Sequence, residues 1–197
     1  MLLDRLKEKH IILASGSPRR QELLRELGLD FEIRVNDDLE ENYPPELTRH
    51  EIPVYLAEMK AKSAGAEIPA NVLMITADTI VWHNDRLADK PADREDAIRI
   101  LKDLSGSMHE VITGVCFIHE KRMRSFHATT RVWFAPLDED EIRYYVDRYK
   151  PFDKAGAYGI QEWIGHIGIE KIEGSYFNVM GLPVQKVYHE LKEFIGE

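Results

Sequence analysis

Two features of this chain have residues that could do chemistry: a serine- and arginine-bearing turn near its start, and an aspartate set into an apolar run. The turn is Ala14-Ser15-Gly16-Ser17-Pro18-Arg19-Arg20, directly behind His10-Ile11-Ile12-Leu13. An apolar run, then small residues and a proline, predict strand, tight loop and helix start. Ser17 is placed to be the N-cap, with Pro18 at the first helical position, where its missing N–H costs nothing. Leu23, Leu24 and Leu27 then share a helical face, and Gly28 supplies the stop. Free loop N–H groups and a helix N-terminus suit an anion. Arg19 and Arg20 are adjacent, hence about 100° apart around the helix. One can clamp a phosphate chain while the other flanks it or reaches a base. Taken alone, the stretch fits an ordinary capped helix with two solvated arginines equally well.

The aspartate is Asp78. It interrupts Val72-Leu73-Met74-Ile75-Thr76-Ala77, a nearly continuous apolar run of the kind found in strands buried on both faces, which resumes with Thr79-Ile80-Val81-Trp82. A carboxylate there is costly unless paired or metal-bound. Because ligands sit at strand ends in open α/β sheets, a functional role is favoured over an aspartate that merely accepts loop N–H bonds. The acidic loop over 36–46, with Asp37, Asp38, Glu40 and Glu41 before Pro44-Pro45, reads mostly as solvated surface, able to donate a carboxylate to a divalent metal. Two glycine-spaced segments, 153–161 and 174–183, carry Lys154, Gln161, Ser175 and Asn178. Glycines so placed let backbone approach a ligand or turn sharply.

The elements that must position these residues alternate between helix and strand. The spacing predicts a half-buried strand over 31–35 and a helix over 51–66, with Ile52, Leu56 and Met59 inward and Lys60 and Lys62 in its second half. Asp93 caps a helix with Ala97, Ile100, Leu101 and Leu104 on one face, closed by Gly106. Strands are expected over 108–119 and 124–135, with His109, His119 and His127 on the sheet surface. Helices follow over 138–149, with Ile142, Tyr145, Val146 and Tyr149 inward, and over 183–195, with Val184, Val187, Tyr188, Leu191 and Ile195 inward. This alternation predicts a three-layer α/β fold with a mixed sheet.

The 197 residues suit a single domain, or one domain with two lobes. A formal net charge of −9 argues against a nucleic-acid polymer as partner. It leaves room for a small anion, because charges are screened over about 8 Å. No secretory signal is visible in MLLDRLKEKH, and no apolar segment approaches the roughly 20 residues that span a bilayer. Cys116, the single cysteine, reads as a buried thiol. Together these point to the cytoplasm and away from a membrane. Glycine-rich P-loop and dinucleotide motifs, a nucleophile elbow and paired zinc-ligand histidines are all absent from the sequence.

The chain resembles the Maf-type nucleoside triphosphate pyrophosphatases, homologues of the septum-formation inhibitor. The resemblance runs through ASGSPRRQELL at 14–24, Glu40-Glu41, Lys60-Ala61, ADTIV at 77–81 and Lys90-Pro91. It continues through LSG at 104–106, TGV at 113–115, DKAGAYGIQ at 153–161 and GSYFNVMGLP at 174–183. One departure is Asp89, where many members carry glycine. The resemblance implies a single domain over 1–197, elongated and two-lobed with an ITPase-like fold, a central cleft, and a homodimer. It implies hydrolysis of a nucleoside triphosphate to the monophosphate and pyrophosphate with a divalent cation, Mg²⁺ or Mn²⁺. Asp78 matches the family's proton acceptor. Ser15, Arg19, Arg20, Glu41, Lys60 and Lys90 match its phosphate and metal positions, with Glu41 and Asp78 as the metal carboxylates. Arg19, Thr79 and Gln161 match the positions that separate a dTTP/UTP branch from one acting on 7-methyl-GTP, and at all three this chain is similar to the former. Modified pyrimidine triphosphates are further candidates. The competing expectations are a nucleotide-binding regulator of division or septation with incidental hydrolysis, and an α/β interaction module without enzymatic activity.

Overall fold

The apolar run that carries Asp78 forms a strand in a mixed sheet covered by helices. The strand continues through Asp78 to His83, so the aspartate lies mid-strand rather than at the strand end expected of it. The computed structural model describes residues 1–36, 38–63 and 68–196. Asp37 of the acidic loop and the end of the helix expected over 51–66 lie outside the described residues.

In chain order the elements are α1 (Leu2–Leu6), β1 (His10–Leu13), α2 (Pro18–Glu26), β2 (Glu32–Ile33), α3 (Glu51–Ser63), β3 (Val72–His83), β4 (Arg86–Ala88) and α4 (Arg94–Leu104). There follow β5 (Met108–His119), β6 (Arg122–Phe134), α5 (Glu139–Tyr149), a 3₁₀ turn at Ala155–Ala157, α6 (Trp163–Gly168), β7 (Ile169–Glu173), α7 (Tyr176–Met180) and α8 (Val184–Phe194). The strands run in the order β2-β1-β3-β5-β6-β7, with β4 paired to β3. β1 is parallel to β2 and to β3, whereas β3–β4 and β6–β7 are antiparallel, so the sheet is mixed.

Contacts divide the chain into two compact units. The first comprises Met1–Asp78, Thr113–Ala128 and Gly181–Glu197, the second Thr79–Ile112 and Thr129–Met180. In the first unit the parallel pairing of His10–Leu13 with Val72–Ile75 buries Ile12, Val72 and Met74 together. Ala57 and Ala61 of α3 bury the Cys116 thiol, and burial pushes its pKa up to about 11. In the second unit α4 and α5 cover the sheet, closing a core that includes Leu101, Val132, Phe134, Ile142, Tyr145 and Tyr158.

Caps and buried stripes follow the sequence where the signal is local. Ser17 accepts from the Arg20 N–H, Asp93 from the Asp96 N–H, and Gly106 adopts φ +63° after α4. Four further expectations need correction. The half-buried strand over 31–35 is two residues long with both exposed, because β2 is the sheet's edge and pairs only with β1. His109 and His119 are buried at 1% and 3% exposure, since β5 is covered on both faces rather than one. Tyr149, at the last turn of α5, is exposed and stacks on Tyr145 instead of joining the core. In α8 the fully inward residues are Val187, Leu191 and Phe194, with Val184, Tyr188 and Ile195 half-buried at the stripe's edge.

Candidate active site

Asp78 and Lys60 are brought together by two long-range contacts. Thr76 Oγ1 donates to the Ala57 carbonyl at 2.6 Å, fixing α3 on β3. Lys60 is three residues on from Ala57 and Asp78 two residues on from Thr76, so each returns to the face that carries the bond. Close approach of α3 depends on Gly114, where a Cβ would lie 2.3 Å from the Pro53 carbonyl carbon. The result is a short ion pair: Lys60 Nζ donates to Asp78 Oδ1 at 2.6 Å. The same ammonium reaches Glu41 Oε1 at 2.9 Å. The Asp78 side chain is 10% exposed and that of Glu41 43%, so the acidic loop brings a solvated carboxylate to a buried one.

Residues 14–20 form a wall beside this cluster. Ser15 Oγ accepts from the Ser17 N–H at 3.3 Å and from Arg20 Nη1 at 3.2 Å. Arg20 also donates from Nη1 to the Ala77 carbonyl and from Nε to the Gly181 carbonyl, each at 2.9 Å. The guanidinium therefore buttresses the peptide that carries Asp78. Burial lowers its pKa, while Asp78 and Glu41 raise it and Arg19 lowers it further. A guanidinium starts high enough to stay charged regardless. The first unit thus gathers Ser15, Arg20, Glu41, Lys60 and Asp78, with Arg19 half-buried on the same helix turn.

The carboxylate pair suits a hard divalent cation. Two oxygens already converge on one cationic group, and Mg²⁺ is commonly held by one or two carboxylates with substrate phosphates completing its shell. Among the described residues no cluster of three or more histidine, cysteine or carboxylate side chains is assembled.

The second unit holds Thr79, Lys90 and Gln161. Thr79 is half-buried on β3 and Lys90 exposed after β4. The Lys90 loop is tied to the 153–161 segment, whose Gly156 N–H donates to the Asp89 carbonyl at 3.3 Å. Gly156 has φ +71° and sits where a Cβ would meet Val81 at 2.9 Å, so only glycine fits this crossing. Gln161 Oε1 is buried and accepts no hydrogen bond. Nearby, Lys154 is 9% exposed between Asp153 at 2.8 Å and Glu162 at 3.3 Å. Glu162 carried no sequence signal; a charged residue one position past a glycine-rich segment reads as surface.

The profile of a family described as Maf-like protein matches residues 10–194. A relative named dTTP/UTP pyrophosphatase, from Bacteroides fragilis, is 54% identical over 191 residues, covering 97% of each chain. Another of the same name, from Parabacteroides distasonis, is 52% identical over 193 residues, covering 98% of this chain and 100% of its own. Among solved structures, a HAM1 protein from Coxiella burnetii shares the fold, with a TM-score of 0.51 at 18% identity, covering 94% of this chain and 99% of that one.

Proposed function

From the premise that the chain belongs to the Maf-like protein family, we propose that it is a nucleoside triphosphate pyrophosphatase that hydrolyses dTTP and UTP to the monophosphate and pyrophosphate. The observation that carries the reading is the Lys60 ammonium gripping both Glu41 and Asp78, the latter in the middle of the buried strand β3. Attack at the α-phosphorus needs a base for the incoming water and positive charge for the departing pyrophosphate. Asp78 is the base, held in place by Arg20 through the Ala77 carbonyl. Glu41 and Asp78 would hold a divalent cation, Mg²⁺ or Mn²⁺, which when bound polarises the phosphates and neutralises developing charge. Lys60 and Lys90 stabilise the leaving group. Ser15 and the N–H groups at the start of α2 cradle phosphate oxygens, with Arg20 completing that wall.

Arg19, Thr79 and Gln161 are assigned to base selection. A glutamine amide accepts the N3–H of thymine or uracil and donates to O4. The buried, unpaired Oε1 of Gln161 supports this, because a buried acceptor gains from a donor supplied by the base. The reading extends to modified pyrimidine triphosphates, a homodimer and a cytoplasmic location; no helix among the described residues is long and apolar enough to cross a membrane. A regulator of division with incidental hydrolysis is not favoured, since the relatives are named as enzymes. The test is a pyrophosphate-release panel over canonical and modified nucleotides with Mg²⁺ or Mn²⁺. Fastest release from dTTP and UTP is expected, and a preference for purine triphosphates refutes the base assignment.

A further inference from the structure

One buried hydroxyl brackets Gln161. Tyr145 of α5 is fully buried, and its phenol oxygen accepts from the Gly159 N–H at 3.0 Å. The same hydroxyl donates to Glu162 Oε2. Its two partners therefore lie on either side of Ile160-Gln161. Burial and the Glu162 carboxylate raise the Tyr145 pKa, which keeps the phenol a neutral donor.

The segment leaves little room for slack. At Gly159 a Cβ would lie 2.8 Å from Glu162 Cδ, and at Gly165 one would lie 1.9 Å from the Ile160 carbonyl oxygen. The Glu162 N–H donates to the Gly159 carbonyl at 3.0 Å, and Lys154 holds the second Glu162 oxygen at 3.3 Å. Three residues before Gln161, the Tyr158 hydroxyl is hydrogen-bonded to His109 Nε2 at 2.8 Å. Packing alone would need only the Tyr145 ring; a polar oxygen at zero exposure is costly unless both its hydrogen bonds are made. Both are made to the backbone and side chain that frame Gln161.

We propose that Tyr145 is a positioning residue for base selectivity, its hydroxyl fixing the chain on both sides of Gln161 and so the direction of the Gln161 amide. The proposal deepens, and rests on, the assignment of Gln161 to the base. It predicts that loss of one oxygen atom from α5 changes which nucleotide is chosen, beyond how well the protein folds.

The experiment measures kcat and KM for dTTP, UTP and GTP with Mg²⁺, on the full chain and on Tyr145→Phe, Glu162→Gln, Glu162→Ala and Gln161→Ala. Tyr145→Phe keeps the ring and is expected to lower the dTTP-over-GTP ratio of kcat/KM by about tenfold, chiefly through KM for the pyrimidines, less than the roughly hundredfold that a misplacement of about 1 Å can cost. Glu162→Ala removes the hydroxyl's acceptor and should reproduce that loss, which provides a second route if Tyr145→Phe folds poorly. Glu162→Gln keeps an acceptor and should retain the ratio within about threefold. An equal loss on all three nucleotides, or an unchanged ratio in both Tyr145→Phe and Glu162→Ala, overturns the proposal. If Gln161→Ala collapses the ratio while those two variants preserve it, the proposal fails and the Gln161 assignment stands. If Gln161→Ala itself keeps the ratio, the assignment fails and takes the proposal with it.

Discussion

Each unit of this protein contains a lysine held between two carboxylates, and the two clusters are assembled differently. Lys60 lies between Glu41 and Asp78, acids that come from an exposed loop and the middle of a strand. Lys154 lies between Asp153 and Glu162, within one short segment, and Glu162 is further tied to the Tyr145 hydroxyl. In the first cluster the charges converge from 37 residues of sequence and one carboxylate stays open to solvent. In the second Asp153 is likewise solvated, but Glu162 is largely buried and shared between Lys154 and the Tyr145 hydroxyl. An ion pair assembled from separate elements, with a solvated side, can exchange partners with an incoming anion and cation. One closed on itself with a buried phenol holds a loop in shape. We propose chemistry for Lys60 and rigidity for Lys154, and each assignment can be broken.

The largest effect is expected at Asp78. Asp78→Asn removes the base but keeps an oxygen for Lys60, so the fold and nucleotide binding should survive while turnover falls by about a thousandfold or more. Pyrophosphate release read beside calorimetric nucleotide binding checks both halves, and undiminished release would remove Asp78 from the chemistry. Lys154→Met should behave the other way. Stripping the ammonium from a largely buried Glu162 costs about 3 kcal/mol of stability, measurable by urea denaturation. A Lys154→Met protein as stable as the parent would show that this cluster is not a structural lock.

His109 extends the contrast, because it is a titratable group used in a buried, neutral role. Burial, with His83 adding to it, pushes its pKa down to about 3, and Nε2 is committed to the Tyr158 hydroxyl. In the unfolded chain the imidazole takes a proton below about pH 6.5. Between roughly pH 6.5 and 3 the unfolded state therefore binds the extra proton, and stability falls as pH falls. The slope is about 1.4 kcal/mol per pH unit at most, levelling off below pH 3. His109→Gln keeps a partner for Tyr158 without the titration, so its stability should decline less steeply from pH 6.5 to 5, by about 1.6 kcal/mol over that range. Equal slopes for the two proteins would mean that His109 is protonated in the fold.

These cases show where the sequence was readable. Ser17, Pro18, Asp93 and Gly106 act on their own helices, so the caps were legible from composition and order. The β3 run announced itself because an aspartate in an apolar stretch needs an explanation that its neighbours cannot supply. The contacts that place that aspartate were silent. Thr76 reads as one more β-branched strand residue, and Gly114 as one more glycine, until the Ala57 carbonyl and Pro53 backbone arrive from far along the chain. His109 and His119 were misplaced for the same reason: alternation along β5 cannot reveal that both faces are covered. Tyr145 was correctly placed inward, but its ring satisfies an apolar stripe so well that nothing hinted at work for its hydroxyl. β7 went unseen because Ile169-Glu170-Lys171-Ile172-Glu173 is short and charged, with only β6 to pair against.

The Lys60 cluster makes the smallest and sharpest prediction. Nζ stands in hydrogen-bond contact with both carboxylates, so a divalent cation that contacts the same two oxygens competes with it. In Lys60→Met that competitor is gone and two carboxylates remain without their ammonium. The variant should bind Mn²⁺ about tenfold more tightly than the parent without nucleotide, roughly 1.4 kcal/mol, as read by calorimetry or paramagnetic resonance. Its pyrophosphate release should nonetheless fall, because the lysine that shields the carboxylates is the one assigned to the leaving group. Tighter metal binding with slower turnover in one variant is hard to obtain from a lysine that only holds the fold together. Weaker Mn²⁺ binding would instead mean that Lys60 organises the two acids for the metal, making this cluster a lock like that of Lys154.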